Sequence, residues 1–239
     1  MAETAAILNP DRMVLLTEGS AGCPLADMIT VAELGRWKQR YPRAAVVCYV
    51  NSSAEIKAES DICCTSANGV EVANSVANDD ILFVPDRNLG HYISTRTKKN
   101  VILYPGFCYV HDSITADQVK QAKKRHPGAG VLVHPECRPE VIALADAALS
   151  TSQMLRHVQA SPLESFIIGT EEGILHRLKQ DNPARSFYLV SGCPVCADMK
   201  KTTLETLAQT MEKRQHIVTV PEEIRVRAKR AVDRMLAVS

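Results

Sequence analysis

Short runs rich in valine, isoleucine and leucine alternate with helical stretches along the chain. The runs include Val46-Val-Cys-Tyr-Val50, Ile81-Leu-Phe-Val84, Val101-Ile-Leu-Tyr104, Val131-Leu-Val133, Ser165-Phe-Ile-Ile-Gly169 and Phe187-Tyr-Leu-Val190. Runs this uniformly apolar belong to strands covered on both faces, and strand–helix alternation predicts βαβ units with parallel sheets. Helix starts are marked by side-chain oxygens. Asn51-Ser-Ser53 precedes Ala54–Ala58, Ser150-Thr-Ser152 precedes Gln153–Arg156, and Thr65-Ser66 precedes a helix predicted from Ala67 to Val76. The last segment opens on Pro221-Glu-Glu223, suited to a first turn. Ile224, Ala228, Ala231, Val232 and Met235 form its apolar stripe, and Arg225, Arg227, Arg230 and Arg234 lie off it as a solvated face.

The pattern repeats. Val46–Asn51 matches Val131–Glu136, and the register continues through Glu55/Glu140, Ile56/Val141, Asp61/Asp146, Thr65/Ser150 and Ser66/Thr151, a spacing of about 85 residues. Each unit closes on a strand soon followed by cysteine, Cys108 in one and Cys193 with Cys196 in the other. Cys23 lies one repeat length before Cys108 and follows the apolar run Met13-Val-Leu-Leu16, predicted as a strand. It would close an earlier unit whose start falls roughly sixty residues before Met1. The repeat predicts boundaries near 28, 112 and 199. Residues 1–28 are the remnant of a first αβα domain, 29–112 a second and 113–199 a third, and 200–239 form a C-terminal segment packing back on the first.

Composition narrows the class. The 239 residues are 46% hydrophobic and 23% charged with a net charge of +1, ordinary for a globular protein and without general attraction to nucleic acid or anionic membrane. No run is long enough to span a bilayer, and Met1-Ala-Glu-Thr-Ala5 lacks a signal-peptide layout, so the cytoplasm is the expected location. In that reducing setting the eight cysteines are not a disulfide framework. Cys48, Cys63 and Cys64 sit in apolar surroundings and read as core residues.

Ligands in open α/β sheets bind beyond the carboxyl ends of strands. Tyr49 and Asn51 stand there in one repeat, His134 and Glu136 in the other. Thr65/Ser66 and Ser150/Thr151 lie at the next strand-to-helix joint. They suit phosphate or carboxylate, although capping alone also accounts for each hydroxyl. Cys23, Cys108 and Cys196 occupy one repeat position. Units packed about a common axis would bring three thiolates together with a coordination position left open, and the spacing fits either an iron–sulfur cube or zinc. Cys193-Pro-Val-Cys196 admits a dithiol reading, weakened because Cys193 has no counterpart beside Cys23 or Cys108.

These residues sit in segments that resemble quinolinate synthases along essentially the whole chain. They include Ala21-Gly-Cys-Pro-Leu-Ala-Asp-Met28, Tyr49-Val-Asn-Ser-Ser53, Cys64-Thr-Ser-Ala-Asn68 and Pro85-Asp-Arg-Asn-Leu-Gly90. Others are Pro105-Gly-Phe-Cys-Tyr-Val-His111, His134-Pro-Glu136, Ser150-Thr-Ser-Gln153 and Cys196-Ala-Asp-Met-Lys-Lys-Thr-Thr-Leu204. The resemblance implies three-layer αβα domains in a pseudo-threefold arrangement, the first incomplete here. It implies condensation of iminoaspartate with dihydroxyacetone phosphate to quinolinate, for NAD biosynthesis. It implies a [4Fe–4S] cluster on Cys23, Cys108 and Cys196, with one iron open as a Lewis acid. Tyr49, His134 and Glu136 would be catalytic, and Asn51, Ser66, His111, Ser150 and Thr151 would bind substrate. A functional link to L-aspartate oxidase or aspartate dehydrogenase follows from the substrate. The family's early His-Tyr motif and Gly-Asp-Ser segment would precede Met1, so low activity is expected of these residues alone. Two other readings stand beside this one: a non-catalytic iron–sulfur or redox-sensing remnant of the fold, and a zinc-binding structural protein.

Overall fold

The computed structural model describes residues 1–190 and 194–238. Cys193 lies outside the described residues, and the dithiol reading with it. The chain runs α1 (Ala2–Leu8), α2 (Val31–Arg40), β1 (Ala45–Tyr49), α3 (Ala54–Ala58), β2 (Ile62–Cys64), α4 (Gly69–Ser75), β3 (Asp80–Val84), α5 (Arg87–Ser94) and β4 (Asn100–Leu103). It continues through α6 (Tyr109–Asp112), α7 (Ala116–Arg125), β5 (Gly130–Val133), α8 (Pro139–Ile142), β6 (Ala147–Ala148), α9 (Thr151–Ala160), β7 (Ser165–Gly169), α10 (Ile174–Asp181) and β8 (Ser186–Leu189). Then come α11 (Leu204–Lys213) and α12 (Glu222–Leu236). Among the described residues no helix is long and apolar enough to cross a membrane.

Two units result, Met1–Gly106 with Ala197–Ser239, and Phe107–Cys196. Each holds a four-stranded parallel sheet of the same order, β2-β1-β3-β4 in the first and β6-β5-β7-β8 in the second. The repeat seen in the sequence is thus a repeat of topology. One side-chain device recurs in register. Asp61 accepts the Val46 N–H at 2.8 Å and returns its own N–H to the Val46 carbonyl, and Asp146 does the same with Val131 at 2.7 Å. Each aspartate completes backbone hydrogen bonding where its central strand begins.

In the second unit the sheet separates two apolar layers. Val131, Val133 and Ile167 face one way with Val119 and Ala122 of α7 and Val141 of α8. Leu132, Phe166 and Ile168 face the other way with Val158 of α9 and Leu178 of α10. Strand side chains alternate between faces, so an uninterrupted apolar run feeds both layers. In the first unit α12 buries Ala228, Ala231, Val232 and Met235, and Ala228 packs with Ile7 and Ala54. The arginines are less idle than a purely solvated face: Arg227 pairs with Glu59 at 2.5 Å, and Arg234 donates to the Asp61 carbonyl at 2.9 Å.

Three sequence expectations change. Among the described residues Met13–Leu16 is not a strand of a sheet; Leu15 makes an isolated antiparallel bridge to Ile217. The helix expected from Ala67 begins at Gly69. Thr65 closes a turn on Asn68 instead, its hydroxyl 2.8 Å from Asn68 Oδ1. Pro221 stands just outside its helix, at the N-cap.

A third copy of one element also emerges. Helices α2, α7 and α11 each have ten residues and open on a threonine capping box, at Thr30, Thr115 and Thr203. Their fourth residues differ in environment. Leu34 and Val119 are fully buried, whereas Leu207 is 42% exposed. Leu34→Ala should therefore cost about 2–5 kcal/mol in urea unfolding, and Leu207→Ala no more than about 0.5 kcal/mol. Equal losses would contradict the unequal burial of the helices.

Candidate functional site

The carboxyl end of the second sheet gathers the titratable groups. β5 ends at Val133 and delivers His134 and Glu136. The single turn of α6 starts at Cys108, whose carbonyl accepts the Asp112 N–H at 2.8 Å. Residues three apart on such a turn share a side, so Cys108 and His111 point together. His111 Nδ1 lies 2.7 Å from Glu136 Oε2 and 3.2 Å from Cys108 Sγ. Its Nε2 lies 2.8 Å from Thr170 Oγ1, just beyond β7. The His111 and His134 rings stack with centroids 4.5 Å apart. His111, His134 and Glu136 are all buried.

Burial opposes charge on all three groups, and their mutual contacts decide the outcome. For His111 the burial penalty is overcome by the Glu136 carboxylate and by the bond to Cys108, which hold it up at about 10. Glu136 is held well below the usual carboxylate range, because His111 and His134 outweigh its desolvation. His134 moves the other way: burial, then the charge on His111, lowers it from its ordinary value. His134 is therefore the neutral imidazole. Its Nδ1 lies 3.3 Å from both the Glu136 backbone nitrogen and the Glu136 Oε2.

The other expected residues divide between the units. Ser150 is buried and caps α9, accepting the Gln153 N–H at 3.4 Å, with Thr151 exposed beside it. Both stand in the second unit. Tyr49, Asn51 and Ser66 stand in the first, at the carboxyl ends of β1 and β2. Tyr49 is buried and its carbonyl accepts the Ser52 hydroxyl at 2.9 Å, while Asn51 and Ser66 are half-buried. Sequence reasoning missed Thr170, although it follows directly on the β7 run. It also missed Asp112, which meets Arg138 at 2.9 Å and fixes the last residue of α6.

The thiols sort by environment. Cys48, Cys63, Cys64 and Cys137 are fully buried, as core residues are. Cys23 is exposed, and Cys108 and Cys196 are half-buried. These three each lie seven residues before a threonine cap, at Thr30, Thr115 and Thr203. Each also precedes a short helical turn: Ala26–Met28, α6 and Met199–Lys201. Exposed and half-buried thiols of this kind are the soft donor set that an iron–sulfur cluster takes. A smaller set is also present. Ligand atoms of Cys108, His111 and Glu136 lie within 4.8 Å of one another and could hold a single ion.

Known proteins match the sequence along nearly its whole length. The family model described as quinolinate synthetase A protein matches residues 1–237. The quinolinate synthase of Methanoregula boonei is 56% identical over 237 residues, covering 99% of this chain and 78% of that protein. Quinolinate synthase 2 of Methanosarcina acetivorans is 53% identical over 239 residues, covering 100% and 77%. The quinolinate synthase of Dehalococcoides mccartyi BAV1 is 54% identical over 238 residues, covering 100% and 79%. Identity above half over nearly the whole chain makes it a member of the quinolinate synthetase A family, with quinolinate synthase function in NAD biosynthesis.

Proposed function

We propose that the chain condenses iminoaspartate with dihydroxyacetone phosphate, releasing phosphate and water, and that Cys23, Cys108 and Cys196 hold a [4Fe–4S] cluster. The observation that carries this reading is the buried His111–Glu136–His134 group set against Cys108 in a chain of this family. When bound, the cluster supplies a Lewis acid at its open iron. Reading the repeats as domains about a common axis lets three thiolates from distant positions serve one centre. Two hydrogen bonds within the first unit support that reading. Gly22, beside Cys23, donates to Asp198 at 3.3 Å, and Lys201 donates to the Ser20 carbonyl at 2.7 Å. They set the chain around Cys23 against the chain just after Cys196.

The chain's own groups handle protons and orientation. His134 is neutral, so its ring carries one proton to give and one nitrogen to receive one. Glu136 is ionised and accepts. His111, charged and bonded to both Glu136 and Thr170, fixes the carboxylate in place. Tyr49 is a second acid/base at the end of β1. Asn51, Ser66, Ser150 and Thr151 bind phosphate and carboxylates, and Ser150 and Thr151 do so at the start of α9. The substrate implies an upstream oxidation of aspartate, by L-aspartate oxidase or aspartate dehydrogenase. Three thiolate ligands also suit a reducing cytoplasm.

Anaerobic reconstitution tests the assignment. We expect about four irons per chain, with visible and electron-paramagnetic spectra that shift on adding quinolinate or dihydroxyacetone phosphate. A cluster indifferent to both compounds would favour a non-catalytic iron–sulfur remnant. Tight zinc without iron would favour the single-ion set at Cys108, His111 and Glu136.

A further inference from the structure

Cys196 lies in a stretch, residues 194–196, with no helix or strand of its own. A cluster ligand must nonetheless hold its sulfur to within a few tenths of an ångström. Among the described residues, the segment after β7 holds the backbone around it. Glu172 donates its N–H to the Pro194 carbonyl at 3.1 Å. The Glu171 carboxylate accepts the Cys196 N–H on Oε1 at 3.4 Å and the Gly173 N–H on Oε2 at 2.7 Å. Glu171 is 8% exposed, and the mechanism above gives it no task. It spans from Gly173, the N-cap of α10, to Cys196 twenty-five residues on.

The first repeat builds the same joint. Asp86 occupies the matching place after β3 and is fully buried, its carboxylate accepting the Leu89 N–H at 2.8 Å. Its backbone forms an isolated parallel bridge with Gly106, and Arg87 donates to the Gly106 carbonyl at 2.7 Å. Gly106 precedes Cys108 by two residues, as Pro194 precedes Cys196. An acid followed by an N–H that grips the carbonyl two residues before a cysteine thus occurs once in each unit. We propose that Glu171 is the positioning residue for Cys196, locking that ligand's backbone so that its thiolate meets the cluster in one geometry. This rests on the cluster reading given above.

The test uses the full chain carrying ¹⁵N-cysteine, with Cys196→Ser serving only to assign the Cys196 amide. Glu171→Gln keeps the side chain's shape but turns one acceptor into a donor. Glu164→Gln removes an exposed carboxylate as the control. In Glu171→Gln, with circular dichroism unchanged, Cys196 amide exchange should rise roughly tenfold, the effect of losing one charge-assisted hydrogen bond. After reconstitution the variant should release iron to a chelator roughly tenfold faster and give a broadened electron-paramagnetic signal. Three results would overturn the proposal: unchanged exchange at Cys196, equal acceleration at the core amides of Cys48 and Cys63, or faster exchange with unaltered iron release. Wild-type chain that takes up no iron would instead sink the cluster reading, and the ligand role with it.

Discussion

Cys108→Ser should bring anaerobically reconstituted iron from about four per chain to less than one. Cys137→Ala, in the same unit, should leave iron uptake intact. The difference follows from where the sulfurs lie. Cys137 is fully buried and its thiol is spent on the Gly169 carbonyl at 3.4 Å, so its removal trims a core contact. Cys108 is half-buried, with its sulfur 3.2 Å from His111 Nδ1 and not enclosed in an apolar core. Serine keeps the shape but replaces a soft, easily ionised ligand with a hard one that stays protonated at neutral pH. The same loss is expected for Cys23→Ser and Cys196→Ser. Cys63→Ala should lower stability and leave the metal alone. Full iron in Cys108→Ser would remove that residue from the ligand set.

Glu136→Ala should be the most damaging change outside the thiols, on two separate measurements. Iron-free chain should lose about 3–5 kcal/mol in urea unfolding, because a buried imidazolium at His111 is left without its carboxylate. Whatever turnover these residues support should fall by about two to four orders of magnitude, the usual worth of a placed acid or base. Glu136→Gln separates the two effects. It preserves volume and one acceptor, so stability should partly recover while turnover stays low. His134→Asn should behave like Glu136→Gln, since the neutral His134 ring carries no buried charge to strand. A Glu136→Gln enzyme with wild-type kcat would show that the carboxylate serves structure alone.

Much of the fold was legible because its signals are local. Continuous apolar runs announced strands covered on both faces, and the match of Asp61 with Asp146 announced a repeated unit. The capping threonines Thr30, Thr115 and Thr203, seven residues after Cys23, Cys108 and Cys196, were present in the sequence too. They became visible as a threefold mark only when three helices of equal length opened on them. Local reading failed where the answer depends on what lies alongside. Met13–Leu16 is apolar enough for a strand, yet a strand exists only where neighbours complete its hydrogen bonds. Thr65 carries a good capping oxygen, but Asn68 captured it in a turn.

The order of elements, the parallel pairing and the residue types available for chemistry were set by the sequence itself, through periodicity, capping and the placement of cysteines. The pairing of His111 with Glu136 across twenty-five residues, the neutral state of His134, Thr170 as a hydrogen-bond partner and the grip of Glu171 on Cys196 were decided by tertiary structure alone. Proton affinity and hydrogen bonding depend on burial and on which charges come within a few ångströms, and both arise only when separate strand ends are packed at one edge of a sheet.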